Sequence, residues 1–290
     1  MCEVVLLNYE RGIPMKKVAV INDLSGFGKC SLTAAIPVLS VQGVQACPLP
    51  TAVLSNQTGY PDYCSVDFTD NMPSFIEQWK KLEPHFDGIL TGFVSDIRQI
   101  KIIEDFCDTF KKEDTLLVVD PVMADNGKIY PVYSDELCNE VKRLAMRADI
   151  ITPNLTEFCV LTDCDYDEII NYAYSPEIVD ILFEKAACLF GKGIKTVIIT
   201  SVPVIEGMVT NCIITPSGIE KVSSRKFAGS FSGTGDLFAS VVCGAVVKGD
   251  RIYDAVSRAT RFLEASISAT VCECTRPEDG ICFESFLKLL

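Results

Sequence analysis

Short β-branched and aliphatic runs alternate along this chain with longer stretches whose apolar residues recur every three or four positions. The runs at 18–21, 88–90, 115–119, 150–151 and 196–199 read as strands, each followed by a stretch of helical length, which is the signature of a parallel α/β sheet. Helices are predicted over 31–39, 72–82, 96–111, 134–147, 176–190, 236–247 and 251–270; in the last, Tyr253, Val256, Ala259 and Leu263 keep helical spacing. Beyond the last strand of the series, the segments 208–215 and 219–227 flank Pro216, Ser217 and Gly218 and predict a β-hairpin. The expected fold class is therefore α/β, a mostly parallel central sheet flanked by helices, with antiparallel strands at one edge. No internal repeat or low-complexity segment interrupts it.

In an open α/β sheet, ligands bind beyond the carboxyl ends of the strands. Polar residues fall there repeatedly. The first strand runs into Asn22, Asp23, Leu24, Ser25, Gly26, Phe27 and Gly28, but Ser31 stands where a dinucleotide fingerprint needs its third glycine. Later strands run into Thr91, Gly92, Phe93, Val94 and Ser95; into Asp120 and Pro121 with Asp125 following; into Thr152, Pro153, Asn154 and Glu157; and into Thr200 and Ser201. The most informative stretch is Gly233, Thr234, Gly235 and Asp236, which leads straight into an apolar helix. Glycines reach backbone conformations that a Cβ forbids, so successive N–H groups can face one ligand while the helix lends its positive end, and phosphate is the natural guest. Asp236 would repel a phosphate it touched, so its sensible role is to accept a proton from an attacking hydroxyl, and phosphoryl transfer to an alcohol follows. Mg²⁺ takes oxygen ligands, keeps several waters and bridges nucleotide phosphates; Asp125 and Glu157 are candidates to hold it, largely through water. Each motif also has a plain reading: Asp120-Pro121 and Thr152-Pro153 as turns, Asn154 with Glu157 as a helix capping pair, Asp236 as a favourable first-turn charge. Four strand-end motifs together with the glycine turn tip the balance toward a phosphotransfer site.

With 290 residues and 48% hydrophobic content the chain can bury one large core, and no linker-like stretch divides it. A single domain is expected over 16–290, with 1–15 as an N-terminal extension of no assigned function. A net charge of −13, with no Lys/Arg cluster longer than a pair, argues against nucleic acid or anionic lipid as the main partner; an anionic substrate would need metal ions to screen it. No apolar run approaches the ~20 residues of a membrane span, so a cytoplasmic protein is expected. The fourteen cysteines are scattered through apolar segments without a C-x-x-C and read as small core residues in a reducing compartment. Only Cys272 and Cys274 lie close together, which disfavours zinc. His85, the one histidine, reads as a loop residue.

From about Lys17 to the last helices, the chain resembles the ribokinase-like superfamily and, within it, the vitamin B6 kinases that phosphorylate pyridoxal, pyridoxine and pyridoxamine. Gly-Thr-Gly-Asp at 233–236 marks the superfamily; D-P-V-M-A-D at 120–125, T-P-N-x-x-E at 152–157 and the segment 51–60 point to the B6 branch. The resemblance implies a ribokinase-like three-layer sandwich, ATP-dependent phosphorylation of a vitamer's hydroxymethyl group to its 5′-phosphate, and a homodimer. It further implies Asp236 as catalytic base, the amides of Gly233, Thr234 and Gly235 on the transferring phosphoryl group, and Asp120 and Asp125 near ATP and its metal ions. Thr152, Asn154 and Glu157 would then serve the nucleotide phosphates, a monovalent cation such as K⁺, and Mg²⁺, with Thr200 and Ser201 on the nucleotide side. Asp23, Thr51 and Phe93 would surround the vitamin ring. Asp23 stands where many members carry Ser, and Phe93 where many carry Tyr. A carboxylate at Asp23 either pairs with a cationic aminomethyl group or protonated ring nitrogen, favouring pyridoxamine, or caps the loop before Ser31. The nearest rival is a hydroxymethylpyrimidine kinase of thiamine salvage, whose turn commonly resembles G-T-G-C where this chain has Asp236. A sugar or nucleoside kinase would usually add polar ring-hydroxyl contacts near the first strand. The missing fingerprint disfavours a nicotinamide-dependent oxidoreductase, and Asp236, Asp125 and Glu157 argue against a non-catalytic nucleotide binder.

Overall fold

Along β1 (Lys17–Ser25), Val18 and Val20 join the core on one side of the sheet and Ala19 and Ile21 the core on the other, all four without exposed surface. This period of two, apolar on both faces, is what a strand covered by helices front and back requires. The structure is a computed structural model that describes residues 15–273 and 276–290. The expected N-terminal extension, apart from Met15, and Cys274 lie outside the described residues.

The chain continues through α1 (Ser31–Val41), β2 (Gln45–Leu54), β3 (Ser65–Asp67), α2 (Met72–Leu82), β4 (Gly88–Thr91), α3 (Ile97–Phe110), β5 (Leu116–Val119), β6 (Ala124–Asp125) and β7 (Lys128–Ile129). Then follow α4 (Asp135–Ala145), β8 (Ile150–Ile151), α5 (Leu155–Thr162), α6 (Tyr166–Ile170), α7 (Glu177–Phe190), β9 (Thr196–Val202), β10 (Met208–Thr215), β11 (Gly218–Arg225), α8 (Thr234–Val247) and α9 (Ile252–Glu273). Two 3-10 turns, Pro277–Asp279 and Glu284–Leu289, close it. One nine-stranded sheet has the order β11-β10-β9-β8-β5-β4-β1-β2-β3. The pairings from β9 through β8, β5, β4 and β1 to β2 are parallel. Helices α1, α8 and α9 cover the face that carries Val18 and Val20, and α2, α3, α4, α5 and α7 the face that carries Ala19 and Ile21. This is the three-layer α/β sandwich of the ribokinase-like fold.

The hairpin predicted near Gly218 is β10–β11, antiparallel, and β10 also pairs antiparallel with β9. A second antiparallel strand, β3, lines the opposite edge against residues 52–54 of β2; its three residues are all exposed, so no alternation reveals it. Strand β2 itself hides behind Pro48 and Pro50, which sit where it has no partner on its outer side. Helix α5 escapes prediction because its short run is buried almost all round and shows no polar stripe.

Among the described residues no helix is long and apolar enough to cross a membrane. Cys30, Cys107, Cys138, Cys159, Cys212 and Cys243 are buried as expected of core residues, whereas Cys64, Cys188 and Cys272 are exposed.

Candidate active site

From β1 the chain moves outward to β2 and β3 on one side, and later to β4, β5, β8 and β9 on the other, so strand order reverses between β1 and β4. Ligand crevices form at such a point, beyond the carboxyl ends of the strands. A cleft of about 1100 Å³ opens there. Asp23, Phe93, Asp120, Asp125, Thr152, Asn154, Glu157, Thr200, Ser201, Gly233, Thr234, Gly235 and Asp236 all line it.

Gly233 is the N-cap of α8, and its φ of 80° lies in the left-handed region. A Cβ on it would stand 2.2 Å from the Lys29 carbonyl oxygen and 3.0 Å from the Cys30 Cα, so glycine is the residue that fits. The first-turn N–H groups of a helix have no intrahelical partners, which leaves those of α8 for an anion. Asp236 sits in that turn. Its Oδ1 accepts a hydrogen bond from Asn22 Nδ2 at 2.9 Å, and the Ser31 backbone N–H also bonds to the carboxylate. Burial, reinforced by the nearby Asp23 charge, pushes the Asp236 carboxyl up to about 6, while the Ser31 and Asn22 donors pull it down.

Asp120 directly follows β5 and accepts from the Thr152 hydroxyl at 2.9 Å. Burial, and then the Asp236 charge, raises it to about 7. Glu157 is raised by burial and then by Asp120. Its Oε1 accepts from the Met123 N–H (3.1 Å) and its Oε2 from the Asn154 N–H (2.9 Å), while Asn154 Oδ1 accepts from the Glu157 N–H (3.0 Å). The capping pair read from the sequence is thus formed, as the reciprocal capping box of α5. Asn154 Nδ2 donates to the Ala124 carbonyl at 2.7 Å, which fixes the β6–β7 hairpin and places Asp125 at the cleft. Asp125 is raised by burial and accepts from Asn126 N (2.8 Å) and Nδ2 (2.9 Å). Among the described residues no three His, Cys, Asp or Glu side chains form a cage for a metal ion. In this row the Asp236 charge raises Asp120 and the Asp120 charge raises Glu157, and such a crowding of carboxyls nonetheless suits a hydrated divalent ion that also binds phosphate oxygens.

On the other side of Asp236, Asp23 is 5% exposed, and its two oxygens accept from Ser25 Oγ (2.7 Å) and Ser31 Oγ (2.5 Å). Phe93 lines the cleft, stacked edge-on with Tyr133. Thr51 departs from expectation. It has no exposed surface and stands outside the cleft wall, where a register slip in β2 turns its hydroxyl to the Phe93 carbonyl at 3.0 Å. It backs the residue expected to touch a ligand. At the far end, Ser201 takes φ 58° and its N–H donates to Asn211 Oδ1 at 3.1 Å. Asn211 Nδ2 then reaches Thr260 Oγ1 of α9 at 2.9 Å. His85 lies in the turn before β4, 3.4 Å from Asp114 and 3.8 Å from Asp87, and does not line the cleft.

Sequence reasoning passed over the segment that braces this cleft from outside. The Pro277 carbonyl accepts from the Ser232 N–H (3.2 Å), and the Glu278 carbonyl accepts from Gln57 Nε2 (3.2 Å). Tyr60 Oη donates to Asp279 Oδ1 (2.5 Å), and Arg276 lies over the Tyr60 ring while pairing with Asp279. Two left-handed glycines let the backbones meet, since a Cβ on Gly280 would stand 2.5 Å from the Gly28 carbonyl oxygen. No local pattern announces these contacts.

Residues 30–276 match the phosphomethylpyrimidine kinase family. The fold and sequence are similar to those of a Bacteroides thetaiotaomicron protein, provisionally named a phosphomethylpyrimidine kinase and crystallised with pyridoxal: 42% identity, TM-score 0.88, 95% of each chain covered. Pyridoxal kinase from Lactobacillus plantarum is similar at 26% identity and TM-score 0.84, over 95% of this chain and 96% of that one. A Caenorhabditis elegans protein provisionally named pyridoxal kinase is 30% identical over 202 residues, 64% of this chain and 56% of its own length. The chain belongs to the phosphomethylpyrimidine kinase family and stands with the pyridoxal kinases in the ribokinase-like superfamily.

Proposed function

We propose that this protein transfers the γ-phosphoryl group of ATP to the hydroxymethyl oxygen of a vitamin B6 vitamer, with Asp236 as general base. The observation that carries the reaction type is a partly buried carboxyl, pushed up to about 6, at the mouth of a glycine-started helix that suits phosphate. The relative crystallised with pyridoxal supports the choice of vitamer.

The hydroxymethyl oxygen attacks the γ-phosphorus in line, its O–H bond breaks toward the Asp236 carboxylate, and the bond to the ADP leaving oxygen opens. The amides of Gly233, Thr234 and Gly235 serve the charge that develops on the transferring group. Asp125 and Glu157, with Asp120 and Thr152 beside them, are the residues to hold Mg²⁺, which when bound neutralises phosphate charge. Asn154 and Thr152 are assigned to the phosphates and K⁺, and Thr200 and Ser201 to the nucleotide. Phe93 and Asp23 are assigned to the vitamin ring. Both Asp23 oxygens already accept a serine hydroxyl, which ties the carboxylate to the loop before Ser31 and leaves its remaining lone pairs for a cationic vitamer. A homodimer and a cytoplasmic location complete this reading.

The second reading is a hydroxymethylpyrimidine kinase, favoured by the family description and by the provisional name of the Bacteroides relative. One assay separates the two: ATP with Mg²⁺ and K⁺, offered pyridoxal, pyridoxamine, pyridoxine and hydroxymethylpyrimidine side by side, products identified by mass. A phosphorylated vitamer is expected, and turnover of the pyrimidine alone overturns the assignment. Asp236→Asn is expected to lower kcat by roughly 10²–10⁴-fold with ADP binding retained, and activity within a few-fold of wild type removes the base from Asp236.

A further inference from the structure

Asn22 is buried, 5% exposed, and is not among the residues that line the cleft. Its amide has one orientation. Oδ1 accepts from the backbone N–H of Asp23 (3.0 Å) and of Phe93 (2.8 Å). A flipped amide would set an NH₂ group against two N–H donors. Nδ2 therefore faces the other way and donates to Asp236 Oδ1 at 2.9 Å, across 214 residues of sequence. The close approach depends on Gly92, where a Cβ would stand 2.4 Å from Nδ2. One buried side chain thus ties the ends of β1 and β4, where strand order reverses, to the first turn of α8.

We propose that Asn22 is a positioning residue for phosphoryl transfer: its Nδ2–H fixes the Asp236 carboxylate as an acceptor and sets its direction, so that the substrate proton reaches it from the cleft side. The inference rests on the reading of Asp236 as the base. A purely structural alternative is that Asn22 only staples β1 to β4 through Oδ1, with its Nδ2 contact incidental. The two differ in what the isosteric Asn22→Asp should do. That variant keeps an acceptor for both backbone N–H groups and so keeps the staple, but it sets a carboxylate oxygen against Asp236 Oδ1. Two acceptors at that distance are reconciled by a proton held between them, which occupies the base. The groups that face Asp236 are Asp23, Asp120, the Tyr130 hydroxyl, the Cys30 thiol and the Ser31 amide, and among the described residues none of these supplies a replacement cation.

The experiment compares wild type, Asn22→Asp and Asn22→Ala in vitamer phosphorylation across pH, with ADP-induced thermal shift as the measure of an intact nucleotide site. Positioning predicts that Asn22→Asp lowers kcat at pH 7 by about 30-fold or more with KM within about threefold, that the acid limb of kcat/KM moves up by about one pH unit or more, and that rate returns at high pH. Asn22→Ala, which loses the donor without adding a charge, moves the same limb in the same direction by less. Asn22→Asp within threefold of wild type, or weakened with its acid limb unmoved, overturns the proposal. Where Asn22→Asp gives no ADP shift, Asn22→Ala decides, and an unmoved limb there overturns it. Wild type that phosphorylates no alcohol, or Asp236→Asn that keeps its rate, instead overturns the reading on which the inference rests.

Discussion

Gly233 joins the positive end of α8 to a loop more than two hundred residues earlier in the chain, because its missing Cβ is what lets the Lys29 carbonyl come close. Gly233→Ala forces both a left-handed φ on a side-chain-bearing residue and a 2.2 Å contact with backbone, so Lys29 or α8 must shift. We expect a loss of about 1–3 kcal/mol in stability and of most turnover, measured by thermal scans and the phosphorylation assay. The need for glycine there was legible in the sequence, as was a carboxylate at the helix mouth. The partner crowding Gly233 was not, since proximity across the fold leaves no local trace. Asn22 was invisible for the same reason: an asparagine after a strand reads as a turn, and only the converging amides of Asp23 and Phe93 show that its side chain is committed. The acid groups give a further prediction. Asp120 and Asp236 are raised to about 7 and about 6 in the folded protein, so between pH about 4 and 7 the native state holds more protons than the unfolded chain. Their contribution to stability is full below their ordinary value near 4 and is lost as pH rises through 6 to 7. Asp120→Asn is expected to raise Tm more at pH 7.5 than at pH 5; an equal change at both pH values would count against this account.

Among the elements, amphipathic helices were the most legible: α2 occupies the predicted span of 72–82, because one stripe of its surface is buried and the rest is wet. Elements without such a stripe were missed, α5 because it is buried almost all round and β3 because it is exposed throughout. Helix α5 nevertheless announced its start through Asn154 and Glu157, whose reciprocal bonds hold its first turn. Asn154→Ala removes that cap and the bond to Ala124. A loss of about 1–2 kcal/mol is expected, read from the midpoint of denaturant unfolding in the absence of nucleotide. The cap and the proposed phosphate role share one side chain, so nucleotide affinity should fall in the same variant.

At the scale of the whole molecule, alternating strands and helices were enough to place the cleft, since parallel strands aim their carboxyl ends at one edge of the sheet and the ligand crevice follows from topology. What topology leaves out is the brace across that edge. Every residue proposed to contact substrate precedes α9, yet Ser232, Gln57, Tyr60 and Gly28 are held by Arg276, Pro277, Glu278, Asp279 and Gly280. A version ending at Glu273 keeps α9 and loses every one of these braces. It should bind ADP weakly and turn over vitamer at under about a tenth of the wild-type rate, and a truncated chain of full activity would show the brace to be ornamental. During synthesis the consequence is one of timing: the ribosome finishes every residue proposed for catalysis before it reaches the clasp, so an interrupted copy is expected to emerge with that set complete and idle.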